Sequence, residues 1–120
     1  KISVVMDLGS VTHLVRERSE GSDLLILEFN HDPGMLKEGP YPWSVKQRIK
    51  GRLGHLSNED SAELLRGLVH PDLRHVFLAH LSQHNNDPEL ALLKAAGALR
   101  GGGTSLRLTH QQKISETVFI

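Results

Sequence analysis

Cysteine is absent from the 120 residues of this chain, which excludes disulfides and zinc–thiolate sites and fits a reducing compartment. Long apolar runs are missing too. Nothing approaches the roughly 20 consecutive apolar residues of a membrane span, and the opening Lys1-Ile2-Ser3-Val4-Val5-Met6 is too short for a secretory h-region. The chain is therefore expected to be cytoplasmic and to need no membrane. Charge of either sign in excess is also lacking: 14 Lys plus Arg balance 14 Asp plus Glu, with a pI near 7.3. No overall field draws polyanions, so any nucleic-acid contact must come from local groups.

What is present reads as a folded chain: 38% hydrophobic, 23% charged, and free of low-complexity runs. The length suits one domain or part of one. An apolar strand starts at the second residue, a beginning that reads as a cut through a larger protein. Histidine is plentiful, at eight residues, which raises the expectation of metal ligation or acid–base chemistry. Two of them repeat a small pattern, Gly54-His55-Leu56-Ser57-Asn58 and Leu78-Ala79-His80-Leu81-Ser82. A histidine with a hydroxyl two positions on, given twice, suggests paired turns aiming imidazoles at a common point.

Apolar runs at residues 2–6, 24–27 and 76–79 predict buried strands, with further strands at 105–109 and 117–120. Between them, Ser10 suits the N-cap of a short helix through Arg18. A helical turn reaches Lys37, and Gly39-Pro40-Tyr41-Pro42 interrupts regular structure. A helix over 43–52 is expected to turn Trp43, Val45, Ile49 and Leu53 inward. Ser57 or Asn58 caps a helix over 59–69, and Asp87-Pro88-Glu89 opens another that Gly101-Gly102-Gly103 stops.

Three ionisable groups then leave strand ends: Asp7 the first, Glu28 the second, His80 the third. Open α/β sheets place ligands at such an edge. His55 joins them from a loop between two helices. Carboxylate and imidazole are ligands that zinc or manganese accepts. Taken singly, an Asp after a strand is more often a turn former, and a His at a strand end more often a packing residue. No His-x-His or His-Glu-x-x-His pair occurs.

Longer stretches carry more. Leu27-Glu28-Phe29-Asn30-His31-Asp32, Met35-Leu36-Lys37, Gly39-Pro40-Tyr41-Pro42-Trp43, Gly54-His55-Leu56-Ser57-Asn58, Leu78-Ala79-His80-Leu81-Ser82, and Asn85-Asn86 with Pro88-Glu89-Leu90-Ala91 together resemble the YycJ-like (WalJ-like) branch of the metallo-β-lactamase-fold hydrolases. The resemblance implies an α/β chain forming the C-terminal half of an αββα sandwich, a mixed sheet with helices on one face. The N-terminal half, with its His-x-His-x-Asp-His motif, is not in this sequence.

By the same resemblance Asp7 falls on a metal-bridging aspartate and His80 on the last metal-ligating histidine of a site for two divalent ions, zinc or manganese. Two ligands cannot hold such a centre, so the chain alone is expected to carry none or an incomplete one, and to be inactive. His55 is similar in position to a histidine that related nucleases hold near the scissile phosphate, with Glu28 as its partner. Met6 stands before Asp7 where related enzymes often carry a small hydroxyl residue. His31, Ser57, Ser82 and Asn85, with Asn86, are polar groups beside the implied site, able to contact phosphate or only to hold turns.

Lys37, Lys46, Arg48, Lys50 and Arg52 surround the Tyr41-Pro42-Trp43 turn; they read either as a solvated helix face or as a phosphate track with an aromatic stacking face. His13, His70, His75, His84 and His110 read as surface or packing residues.

The expected function is a metal-dependent hydrolase, a phosphodiesterase of the DNA exonuclease kind, in the full-length protein. A small-ester or thioester hydrolase of the same fold and a non-catalytic binding half-domain are the alternatives. An uncovered sheet face carrying Val4, Ile26 and Phe77 is expected to drive homo-oligomerisation.

Overall fold

Each apolar strand is followed by a capped helical stretch before the next begins, and such connections bring strands back in the same direction. The computed structural model describes residues 1–120 in the order β1 (Ile2–Val5), α1 (His13–Ser19), β2 (Leu24–Glu28), α2 (Pro33–Glu38), α3 (Trp43–Lys50), α4 (Asn58–Leu68), β3 (His75–Ala79), α5 (Pro88–Leu99), β4 (Ser105–Leu108). One four-stranded sheet results, ordered β1-β2-β3-β4 and parallel throughout. The expected mixed sheet is thereby corrected. Residues 117–120, expected as a further strand, form none.

Register sorts the side chains into two faces, because successive residues of a strand point oppositely. One row runs Val5, Leu27, Leu78, Leu108 across the sheet, and the next Ser3, Leu25, Val76, Leu106. Their apolar members pack with Ala62, Leu65 and Leu68 of α4 and with Ala91, Ala95 and Ala98 of α5 into one core. The core thus lies on one face only.

The other face carries the row Val4, Ile26, Phe77, Arg107. Val4 is 56% exposed and Ile26 half-buried, as an uncovered face requires, whereas Phe77 is buried. The reason lies at the C-terminus. Arg107 pairs with Glu116, and the His75 Nε2 meets the Phe119 carbonyl at 3.1 Å, so the last residues are tied across that side of the sheet.

Caps set the helix starts. Thr12, not Ser10, caps α1 by accepting from the Val15 amide at 3.2 Å. Asp32, Ser57 and Asp87 do the same for α2, α4 and α5, with Pro33 and Pro88 at the first turns where no amide partner is lost. In α3 the inward pattern holds for Val45 and Ile49, which are half-buried. Trp43 and Leu53, expected inside, stand 73% and 97% exposed. The helix ends at Lys50, and Gly51 breaks it before Leu53 can turn inward.

Candidate functional site

Three parallel strands end at one edge, and the groups that leave them there are brought together. Glu28 closes β2 and is wholly buried. A buried carboxylate needs donors to replace water, and it has four. The amide of Asp7 donates to Oε1 at 3.1 Å and that of Leu56 to the same oxygen at 3.3 Å. His55 Nδ1 lies 2.9 Å and His80 Nδ1 2.5 Å from Oε2. An ionised carboxylate only accepts, so both imidazoles donate through Nδ1 and keep Nε2 as the lone-pair nitrogen. The two rings meet edge to face, 5.0 Å between centroids.

The Asp7 Oδ1 stands 3.4 Å from His80 Nδ1 and 3.6 Å from His55 Nδ1, completing a group of two carboxylates and two imidazoles. Ligand atoms of all four lie within 4.8 Å of one another. Such a donor set fits a borderline divalent cation.

Backbone strain aims two members of the group. Asp7 and His80 each adopt φ of +59°, a left-handed conformation that costs a non-glycine residue about 1–2 kcal/mol. Each is held there: Asp7 by the hydrogen bond its backbone N–H donates to Glu28, His80 by Asn30, whose Nδ2 donates to the His80 carbonyl at 2.9 Å. A close approach fixes the third. Gly9 donates to the Arg52 carbonyl at 3.2 Å, and a Cβ on Gly9 would lie 1.8 Å from the Gly51 oxygen. Only glycine lets the loop after β1 lie against the exit of α3. There the amide of His55 donates to the Ile49 carbonyl at 2.9 Å.

Of the residues named from the sequence, Asp7, Glu28, His55 and His80 converge. The others stand around them. His31 is buried, its Nδ1 3.2 Å from the Asn30 Oδ1, and it bridges to Ser57 through the backbone. Burial, and then the neighbouring His55, push its imidazole below the ordinary 6.5. Ser57 Oγ accepts from the Asp60 amide at 3.1 Å, and Ser82 Oγ from the Asn85 amide at 3.1 Å. Asn85 is buried, and its carbonyl accepts from the Asp32 amide at 2.9 Å. In this structure all four therefore secure loops at the site's margin.

Asn86, named from the sequence as able to hold a turn, belongs to an amide lattice whose other members, Asn30 and Asn58, sequence reasoning gave no such role. Asn58 and Asn86 exchange side-chain hydrogen bonds at 2.8 and 3.0 Å, and Asn86 also donates to the Phe29 carbonyl at 2.8 Å. Asn30 accepts through its carbonyl from the Ser82 amide. These bonds join the loops that carry Glu28, His55 and His80. Their sequence trace is the set of asparagines at 30, 58, 85 and 86, each within six residues of Glu28, His55 or His80.

Above the histidines opens a cavity of about 270 Å³, lined by His55, His80, Tyr41, Ile49, Asn30 and Ser82 among others. A wider groove of about 680 Å³ continues past His80 and Ser82 toward residues 110–113.

No family model matches the chain. Curated relatives do. It is 37% identical over 103 residues to the exodeoxyribonuclease YycJ of Bacillus anthracis, covering 86% of this chain and 39% of that protein. It is 41% identical over 88 residues to the exodeoxyribonuclease WalJ of Streptococcus pneumoniae strain D39, covering 73% of this chain and 33% of that protein, with the same figures for strain R6. Over the matched residues, the chain is YycJ/WalJ-like. It spans about two fifths or less of the length of these relatives. Both relatives are named exodeoxyribonucleases, and on this chain Asp7, Glu28, His55 and His80 form a group whose ligand atoms lie close enough together to hold a cation. No helix is long and apolar enough to cross a membrane.

The buried His31 has a consequence for stability. Its folded-state value lies below its unfolded one, so its contribution is complete above about 6.5 and is lost as pH falls through the lowered folded value. Urea unfolding from pH 8 to pH 5 is expected to show a smaller acid loss of stability in His31→Gln than in the parent chain. Equal losses would mean that His31 is not held neutral.

Proposed function

We propose that the full-length protein carrying this chain hydrolyses phosphodiester bonds, acting as a DNA exonuclease, and that this chain supplies the acid and part of the cation site. The carrying observation is the pair of imidazoles gathered by one buried Glu28 beside Asp7. In this reading the sheet is half of an αββα sandwich.

Roles follow from which atoms remain free. All four donors to Glu28 occupy its two oxygens, so it is a positioning residue. Asp7, with its largely exposed carboxylate, and His80, oriented by Glu28, would hold the cation, zinc or manganese, when one is bound. Bound divalent cations neutralise phosphate charge and make water a stronger nucleophile. His55 does the remaining proton work. As an imidazolium its Nδ1–H is held by Glu28 and its Nε2–H faces the cavity. As the P–O bond to the leaving group breaks and a water oxygen bonds to phosphorus, that proton passes to the leaving alkoxide, while the proton given up by the attacking water goes to solvent, from which His55 is reprotonated. His31, Ser57, Ser82 and Asn85 border the phosphate path.

The test is an assay of the full-length protein on single-stranded and duplex DNA, RNA, a thioester and bis(p-nitrophenyl) phosphate, with and without manganese. His55→Ala and Glu28→Gln are expected to lower the DNA rate by about 10²–10⁴-fold, and His55→Ala to lower the nitrophenyl rate far less, since that leaving group needs no proton. Equal losses on both substrates would remove the acid role. Activity confined to the thioester would reject the nuclease reading in favour of a small-ester hydrolase, and activity on nothing would leave a binding half-domain.

The outer face of β1 supports a second proposal, self-association of this chain. Ile2, Val4 and Met6 are 56%, 56% and 40% exposed on one side of an edge strand. Light scattering is expected to show dimers that dissociate in Val4→Lys; a monomer at millimolar concentration would contradict this.

A further inference from the structure

In a chain of zero net charge, one segment is strongly one-sided. Between Gly39 and Asn58 lie four Lys or Arg and no Asp or Glu. None of Lys37, Lys46, Arg48, Lys50 or Arg52 forms an ion pair with any carboxylate. Uncompensated basic groups repel one another, and a polyanion relieves that repulsion.

Helical geometry arranges them further. Trp43, Lys46, Gln47 and Lys50 recur at the i, i+3, i+4, i+7 spacing that places side chains in one stripe. Trp43 is 73% exposed, an unusual state for the largest apolar side chain in the molecule. Lys46 is steadied, its Nζ donating to the Lys37 carbonyl at 2.7 Å. The start of α3 adds to the field: no side chain caps it, and no acidic residue occupies its first turn.

The helix that carries the stripe borders the site. Tyr41, two residues before Trp43, and Ile49, beside Lys50, line the cavity that also holds His55 and His80. Tyr41 stands edge-on to His84 at 6.0 Å, which fixes its ring at the rim.

We infer that α3 is the entry surface for the end of a single-stranded nucleic acid, with a base stacked on Trp43 and the phosphates following the basic stripe past Tyr41 toward His55. The inference deepens the nuclease reading and rests on it. Single strands rather than duplexes are implied because an exposed indole stacks only on a base whose own face is free. The charges serve every sequence alike, so the surface recognises the backbone and not a base order.

Trp43 is the only tryptophan in the chain, so its fluorescence reports this surface alone. The experiment titrates the 120-residue chain, with EDTA present, using dT12, an abasic oligomer with the same number of phosphates, and a blunt 12-bp duplex. Quenching by dT12 is expected, much weaker quenching by the other two, and an affinity that falls with salt. Lys46→Ala with Lys50→Ala is expected to lower the salt slope by up to about 1.4, at roughly 0.7 per lost contact to a single strand. Trp43→Leu, followed by anisotropy of labelled dT12, is expected to weaken binding about tenfold or more. These side chains are exposed or half-buried, so the fold survives the changes.

No quenching by dT12, or equal quenching by the abasic oligomer, overturns the inference. Preference for the duplex, or for an acidic peptide, does the same. Quenching without DNA hydrolysis by the full-length protein would sink the nuclease reading and leave the surface standing; hydrolysis without quenching would sink the surface alone.

Discussion

A single buried carboxylate organises the functional edge of this molecule. Glu28 sits at the end of a central strand with no access to water, and an unpaired charge there would be destabilising by several kcal/mol. Four donors from three different loops answer that demand: the Asp7 amide after β1, His55 and the Leu56 amide between α3 and α4, and His80 after β3. Satisfying the charge and assembling the site are therefore the same event. The strained φ of Asp7 and His80 is maintained because relaxing either backbone would disturb a donor or its anchor.

The rest of the fold serves that edge. Parallel strands present three consecutive C-terminal ends on one side, which an antiparallel arrangement would have split between two. Helices α4 and α5 cover one face of the sheet and build the core. Because the core lies to that side, the loops above the edge are free to be polar, and the Asn58–Asn86 pair, with Asn30, locks them to one another. On the open side, the C-terminal residues are tied down by Glu116 and Phe119, while β1 remains bare.

Much of this was legible in the order of residues. Apolar runs marked β1, β2 and β3, and β4, interrupted by Arg107, was expected as a further strand. Asp-Pro marked the start of α5. The convergence of Asp7, Glu28, His55 and His80 followed from their positions at strand and helix ends, joined to a resemblance over longer stretches. What escaped depends on contacts between distant segments. A run such as Thr117-Val118-Phe119-Ile120 has strand propensity, yet it pairs with neither outer strand, β1 or β4. Trp43 has the composition of a core residue, yet at the first position of α3 it lies on the side opposite the half-buried Val45 and Ile49 and so faces solvent. The constraint on Gly9 comes from Gly51 and Arg52, over forty residues away, and no local pattern announces it.

Glu28 holds both imidazoles by Nδ1, which leaves Nε2 of each ring as the free nitrogen. Long-range proton–nitrogen NMR correlation of the histidine rings reads this directly. At alkaline pH, His55 and His80 are predicted to be Nδ1–H tautomers with strongly deshielded protons, and Glu28→Gln to shift both sets of signals together. An Nε2–H tautomer on either ring, or a Glu28→Gln spectrum in which only one ring responds, would contradict it.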